Sequence, residues 1–214
     1  MKNWSKKEKW LGVWLCIIYL VGIIGIAMPL HQDFVRLTPL NLCVSLLIVL
    51  VSQKEWSWRL IILLGINYFI GFFAEVYGVN QGVLFGGFYR YGDAMGWQLL
   101  QTPLTAGLLW VIVATGVVAL LNRGFESQSW LIKSAFGASI LVSLDVLIEP
   151  VAIKLNFWRW QENVVPFQNY VGWYGVGFLI LALYFYFLPK YENRLAELLL
   201  LLQFVFFGIF NVLQ

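Results

Sequence analysis

Charged side chains are scarce in this chain. Of its 214 residues, 14 are Lys or Arg and 11 are Asp or Glu, so 12% are charged, against roughly a quarter in soluble domains. Hydrophobic residues make up 61% of the chain. This balance predicts an all-α integral membrane protein, because helices satisfy their own backbone hydrogen bonds inside a bilayer. Residues 1–214 are expected to form a single membrane-embedded helical domain.

Histidine and cysteine are almost missing. His31 is the single histidine, at a predicted helix end where an interfacial position is expected, and Cys16 and Cys43 both fall within apolar segments. Zinc, haem and iron–sulfur sites need several such ligands together. The glycines follow no strand and lack dinucleotide-type spacing. The sequence therefore predicts no metal and no cofactor, and we expect no disulfide.

Long apolar runs, in contrast, follow one another along the whole chain. About seven of them can cross or nearly cross a hydrocarbon core of about 30 Å. The sixth is short. We place them at residues 10–29, 38–53, 58–79, 98–121, 130–153, 173–188 and 195–213.

Lys and Arg are divided unequally between the two ends of these segments. If the N-terminus is cytoplasmic, ten of them lie on that side, beginning with Lys2, and four lie on the other, namely Arg36, Arg90, Lys154 and Arg159. Cytoplasmic loops are usually the more basic. We therefore predict a cytoplasmic N-terminus, in a bacterial inner membrane. The net charge of +3 reflects this bias and requires no nucleic-acid partner.

Three acidic residues lie inside the apolar segments, whereas the other eight lie at termini, loops or helix ends. Asp145 and Glu149 are four residues apart, on one helix face, and Pro150 follows and bends that helix. Glu75 lies about one turn from the outer end of the third segment. Acids within the membrane are costly and mark functional sites, so we expect these three to converge in the outer half. The alternative is that they pair with loop arginines.

A short aromatic motif occurs twice. Residues 88–91 read Phe-Tyr-Arg-Tyr, and residues 157–160 read Phe-Trp-Arg-Trp, 157 − 88 = 69 positions later. Each copy follows a segment that contains a glutamate and precedes a proline and then a tryptophan. This predicts two parallel repeats, made of the third and fourth segments and of the fifth and sixth.

The acids and the aromatic residues together suggest a chemistry. Two close, buried carboxyls hold one proton between them near neutral pH, which makes a proton donor. Aromatic faces stabilise a cation, so a donor acid beside aromatic walls suits protonation of an electron-rich alkene in a lipid. Some of these rings are expected to form an interfacial belt instead. The candidate substrate-binding residues are Tyr68, Phe85, Phe88, Tyr89, Tyr91, Trp158 and Trp160.

Residues 70–175 resemble a known family. The blocks are EVYGV at 75–79, FGGFYRYG at 85–92, Asp145 followed by EPVA at 149–152, WRW at 158–160, and Pro166 with Asn169 and Gly172-Trp173. In order and spacing they resemble the membrane carotenoid biosynthesis proteins, which include carotenoid 1,2-hydratases of the gamma-carotene and bisanhydrobacterioruberin type. This family is distantly similar to the membrane-embedded, heterodimeric-type lycopene cyclases.

The resemblance implies an enzyme that adds water, without a cofactor, to the terminal C=C of an acyclic carotenoid end. A carboxylic acid would protonate the alkene, and water would capture the tertiary carbocation. Glu75, Asp145 and Glu149 would be catalytic, and Asn169 and Trp173 would join the substrate-binding residues. The expected partners are a carotenoid and the membrane lipids, and the oligomeric state stays open.

Two other functions remain open from the sequence. A carotenoid end-group cyclase or isomerase would use the same protonation, and a cyclase would then close a ring. A non-enzymatic lipid-binding or transport protein would use the acids as a proton relay. Access of water to the acids separates the first alternative from a hydratase, and acids near the interface favour the hydratase.

Overall fold

The computed structural model describes residues 4–28 and 31–213. Lys2, which enters the predicted charge bias, lies outside the described residues, as does the side chain of His31. The described residues form eight α-helices and four short strands. The helices are α1 (Lys6–Ala27), α2 (His31–Arg36), α3 (Thr38–Ser52), α4 (Trp58–Gln81), α5 (Leu104–Gly124), α6 (Trp130–Lys154), α7 (Phe167–Phe187) and α8 (Arg194–Val212), and the strands are β1 (Tyr89–Tyr91), β2 (Gln98–Leu99), β3 (Thr102–Pro103) and β4 (Trp158–Trp160).

Six of these helices are long and apolar enough to cross a membrane, and they have 19 to 25 residues each. They are α1 and α4 to α8. The second predicted segment, α3, is also apolar but has 15 residues, fewer than the roughly 20 that span a bilayer at right angles. The six long helices and the shorter α3 together confirm the predicted all-α integral membrane protein with about seven apolar helices.

Helix α5 lies at the centre of the bundle. Of its apolar window, 78% is buried, and it packs against α3, α4, α6, α7 and α8. Small side chains permit this close packing. A Cβ added at Gly107 would lie 2.7 Å from Tyr68, and one at Gly116 would lie 2.8 Å from Leu200. Membrane helices associate through such small residues because the backbones can then approach each other.

Two predicted helix starts are wrong. Residues 98–103 do not begin a helix but form the hairpin β2–β3, and α5 begins at Leu104. Pro103 is the residue before the helix, where its fixed φ and missing N–H do no harm. Likewise α7 begins at Phe167, directly after Pro166, and not at Trp173. Helix α7, which is the sixth predicted segment, therefore has 21 residues and is not the short span that we predicted.

The two aromatic motifs pair with each other. Strands β1 and β4 are antiparallel, with Arg90 opposite Arg159 at the centre of the ribbon. The Gly92 N–H donates to the Phe157 carbonyl at 2.8 Å and continues the pairing. A Cβ at Gly92 would lie 2.1 Å from a carbonyl oxygen of the neighbouring loop, so glycine is required there. Antiparallel pairing of the two copies about their centres is what two parallel repeats related by a two-fold axis would give, and it supports the predicted repeat.

Candidate active site

Glu75 lies in α4, six residues before the end of that helix, and is buried. Its Oε2 accepts hydrogen bonds from the hydroxyls of Tyr89 at 2.6 Å and Tyr91 at 2.9 Å. Its Oε1 accepts a hydrogen bond from the indole Nε1 of Trp110 at 3.0 Å. Strand β1 supplies the two phenols and α5 supplies the indole, so the carboxyl joins three parts of the fold.

Glu149, in α6, is held in a related way. Its Oε2 accepts hydrogen bonds from the indole Nε1 atoms of Trp158 and Trp160, both at 3.0 Å. In the repeated motif these tryptophans correspond to Tyr89 and Tyr91. Each glutamate is therefore bound by the two alternate aromatic side chains of the motif that follows it in the chain.

Asn169, in the first turn of α7, joins Glu149 to the third acid. Its Nδ2 donates to Asp145 Oδ2 at 2.7 Å and to Glu149 Oε1 at 3.2 Å. Asp145 is 0% exposed, and its Oδ1 has no hydrogen-bond partner within the described part of the chain. A buried polar atom without a partner costs about 1–3 kcal/mol. Oδ1 is thus the oxygen of this group that remains free to carry a proton.

A small cavity of ≈ 20 Å³ lies between the two glutamates. One water molecule needs at least about 10–15 Å³ of such space and two to four polar partners, so the cavity can hold a single water. Asp145 does not line it but is one hydrogen bond away, through Asn169. The lining residues are Glu75, Tyr89, Tyr91, Met95, Ala106, Leu109, Trp110, Glu149, Trp158, Trp160, Asn169 and Trp173.

The aromatic walls of this cavity pack on each other across the two repeats. The rings of Tyr89 and Trp160 have centroids 4.9 Å apart, and those of Trp110 and Trp173 are 4.3 Å apart. Burial, and after it the charge of Glu75, raises the pKa of the Tyr89 and Tyr91 hydroxyls well above the ordinary value. Both phenols therefore remain hydrogen-bond donors at neutral and moderately alkaline pH.

The structure brings Glu75, Asp145 and Glu149 together, and six of the nine predicted substrate-binding residues line the cavity. Tyr68, Phe85 and Phe88 do not line it. The Tyr68 hydroxyl donates to a backbone carbonyl at the start of α5 at 3.0 Å. Phe85 is buried against glycines of α4 and α7, and Phe88 is 50% exposed. The six that line the cavity are Tyr89, Tyr91, Trp158, Trp160, Asn169 and Trp173.

Sequence reasoning missed Trp110 as a site residue. It donates to Glu75, and it is 1% exposed. Its position contained a signal, because Trp110 follows Pro103 by seven residues and Trp173 follows Pro166 by seven. Met95 and Leu109, which also line the cavity, carry no comparable signal in the sequence.

The three acids are not paired with arginine. Arg90 and Arg159 are both exposed on the ribbon. Within residues 4–28 and 31–213, the side chains that hydrogen-bond to the acids are phenols, indoles and an amide, and neither arginine forms an ion pair with them. In the same part of the chain, no three His, Cys, Asp or Glu residues are placed to hold a metal ion. The arrangement can supply and accept protons inside an aromatic pocket.

Comparison with known proteins points to one family. A family model described as "Carotenoid biosynthesis protein" matches residues 34–214. A curated relative, a bisanhydrobacterioruberin hydratase from Haloarcula japonica, is 27% identical over 116 residues, which cover 51% of this chain. The aligned part spans 39% of the length of that relative. No solved structure matches the chain.

Proposed function

Since the chain belongs to the carotenoid biosynthesis protein family, we propose that it is a carotenoid 1,2-hydratase. It adds water to the terminal C=C of an acyclic carotenoid end. The observation that carries this proposal is the cavity of ≈ 20 Å³ lined by Glu75 and Glu149. A proton donor, a carboxylate and space for one water lie together there, behind aromatic walls.

The first step is protonation of the alkene. Three buried carboxyls lie close together without a contacting cation in the described residues, and uncompensated charge is very costly in such surroundings. At least one of them therefore holds a proton. Both oxygens of Glu75 and of Glu149 already accept hydrogen bonds, whereas Asp145 Oδ1 accepts none. We assign the proton to the Asp145–Glu149 pair, which transfers it to the less substituted carbon of the terminal C=C and leaves a tertiary carbocation on the other, dimethyl-substituted carbon.

The second step is capture of the cation by water. Aromatic faces stabilise the positive charge while it exists. A water in the cavity lies within reach of Glu75, which accepts a proton as the water oxygen bonds to carbon. One carbon of the former double bond has gained a hydrogen and its neighbour a hydroxyl, and the proton taken up by Glu75 returns to the Asp145–Glu149 pair through solvent. No electrons are transferred, so no redox cofactor is required.

The site lies towards the end of the bundle opposite the N-terminus. Glu149 precedes the end of α6 by five residues, or about 7–8 Å along the helix. The basic N-terminal flank and inner loops favour a cytoplasmic N-terminus, and a bacterial inner membrane is the proposed location. The acids then lie in the outer half, close enough to the interface for water to reach them.

Product analysis tests the function. Expressed in a bacterium that accumulates lycopene, the protein is expected to give a product heavier by one water, and the matched variant Glu149→Gln to give none. A ring-closed product of unchanged mass would identify a cyclase. Unaltered lycopene at normal expression would identify a protein that is not an enzyme for this carotenoid.

Isotope labelling tests the mechanism. Purified protein in detergent is expected to hydroxylate the carotenoid anaerobically, without nicotinamide or flavin. In deuterated, oxygen-18-labelled water the product is expected to gain one non-exchangeable deuterium and one labelled oxygen. Incorporation of oxygen from O₂ gas would instead identify a hydroxylase and reject the acid mechanism.

A further inference from the structure

A larger cavity lies on the lipid-facing side of the acid site. It is a cleft of ≈ 320 Å³ formed mainly by side chains of α1, α3 and α8. Its rim includes Ile17, Val21, Leu37 and Leu40, which are 42% to 60% exposed. In a membrane protein such residues face the hydrocarbon core, so the cleft opens towards the lipid.

The inner end of this cleft reaches the acid site. Met95, Leu109 and Trp158 line both the cleft and the cavity between the glutamates. Trp158 also donates its indole N–H to Glu149 at 3.0 Å. The cleft and the acid cavity are therefore separated by a single layer of side chains, of which Met95 is unbranched and flexible.

The walls of the cleft are apolar along most of their length. The apolar lining residues include Ile18, Val44, Ile148 and Phe207. Tyr19 is the one described lining residue with an ionisable side chain. A ligand of this cleft is therefore expected to be apolar over most of its length. An extended hydrocarbon that enters from the bilayer fits these properties.

We propose that this cleft binds the polyene chain of the carotenoid and directs its reactive end to Leu109 and Met95, next to the acids. The proposal rests on the proposed function, because the polyene is the substrate of the same acid site. The occupant is the polyene and not a second copy of the chain, since the inner end of the cleft is closed by Met95 and Trp158, which are buried and also line the acid cavity. The terminal C=C would lie at the layer formed by Met95, Leu109 and Trp158.

Filling the cleft tests the proposal. A Cβ at Gly22 would lie 3.7 Å from the Phe206 side chain, an ordinary contact, so Gly22→Phe can place a ring in the cleft without a backbone clash. Val44→Phe fills it from another helix and decides the test if the first variant misfolds. Gly65→Phe is the matched control, because nothing lies within 4 Å of a Cβ there.

Binding is measured apart from turnover. Lycopene is achiral, so a circular dichroism signal in its visible band reports that the protein holds it in one geometry. We expect this signal with the wild-type protein in detergent, and also with Glu149→Gln, which binds without turning over. In Gly22→Phe and Val44→Phe, the apparent affinity and the turnover are expected to fall at least about tenfold, and in Gly65→Phe neither changes.

The outcomes separate the two proposals. If the filled variants still bind lycopene and hydrate it, the cleft is not the binding site, although the hydratase function stands. If filling abolishes binding while no variant and no wild-type protein forms a hydroxylated product, the cleft stands and the hydratase function fails. A wild-type protein without any induced signal from lycopene would overturn the cleft proposal.

Discussion

Trp110 and Trp173 stack on each other with ring centroids 4.3 Å apart and an interplanar angle of 26°. They occupy equivalent positions in the two repeats, each seven residues after the proline that precedes its helix. The stack lies beside the two glutamates and forms part of the cavity wall. The predicted repeats therefore meet at the candidate active site, and each contributes one glutamate and one tryptophan of the stacked pair.

The two predicted repeats differ in their number of buried acids. Asp145 precedes its glutamate by four residues, and the residue four before Glu75 is Gly71. A Cβ at Gly71 would lie 2.4 Å from Trp110, so the tryptophan fills the space that an aspartate would need. The additional acid and its partner Asn169 belong to the second half alone. This inequality is the structural reason to assign the proton to the Asp145–Glu149 pair and the water to Glu75.

Removing an ionisable acid is expected to stop the reaction without unfolding the protein. Asp145→Asn and Glu149→Gln keep the shape of the side chain but cannot donate a proton, and general acids contribute about 10²–10⁴-fold to rate. We expect turnover in detergent to fall by that factor while both variants remain folded. The melting temperature should fall somewhat in Glu149→Gln, because both oxygens of Glu149 accept hydrogen bonds and the amide nitrogen would face a donor. Glu162→Gln, in the exposed loop after β4, is the control and should behave as wild type. Near-normal conversion by both site variants would show that another group supplies the proton.

Trp110→Phe is expected to weaken both stability and turnover. It keeps an aromatic ring against Trp173 but removes the donor to Glu75 Oε1. The loss of a buried hydrogen bond costs about 1–3 kcal/mol when the partner is left unpaired, so the melting temperature should drop. Turnover should also drop, because Glu75 is less firmly positioned. The control is Trp97→Phe, since Trp97 is 88% exposed. Equal behaviour of the two variants would argue against a role for the indole N–H.

Gln203 offers a stability test at the cleft. It is 2% exposed, and neither its Oε1 nor its Nε2 makes a hydrogen bond of ordinary geometry in the described residues, although the Tyr19 hydroxyl lies close by. A buried amide in this state costs about 1–3 kcal/mol, so Gln203→Leu should raise the melting temperature of the substrate-free protein.

Asn193 provides the control for Gln203, because its side-chain amide is hydrogen-bonded and its replacement should change the melting temperature in the opposite direction. Its Oδ1 caps α8 by accepting from the backbone of Leu195 and Ala196, and its Nδ2 donates to the carbonyl of Val49. Asn193→Leu should therefore lower the melting temperature. A decrease for Gln203→Leu as well would show that the Gln203 amide does have partners in the protein.

The hairpin β2–β3 turns through two residues in the left-handed region. Leu100 has φ 53° and Gln101 has φ 64°, a conformation that Asn and Gly adopt far more readily. The left-handed conformation costs an ordinary residue about 1–2 kcal/mol, so Leu100→Asn is expected to stabilise the protein by a part of that amount. Leu99→Asn, at an exposed strand position, is the control and should give no gain. Unchanged melting temperatures for both would mean that the strain at Leu100 is negligible.

The sequence by itself determined the class of the protein and most of the acid site. A hydrophobic fraction of 61% leaves few alternatives to a helical membrane bundle, because each backbone polar group must be satisfied inside the lipid. The cost of burying Glu75, Asp145 and Glu149 made them stand out from the other acids. The doubled aromatic motif was visible because a repeat preserves its spacing along the chain.

Only the tertiary structure decided how these pieces meet. The pairing of β1 with β4 joins residues 67 to 71 positions apart, and no local pattern specifies such pairs. Residues 98–103 read QLLQTP and lead directly into the apolar segment of α5, so the sequence does not mark where the helix begins. The turn at Leu100 became visible only in its backbone angles. The sequence likewise did not specify which groups donate hydrogen bonds to the acids. A buried acid can be compensated by a cation or by several neutral donors, and packing placed phenols, indoles and Asn169 beside these acids while leaving both arginines in the exposed ribbon.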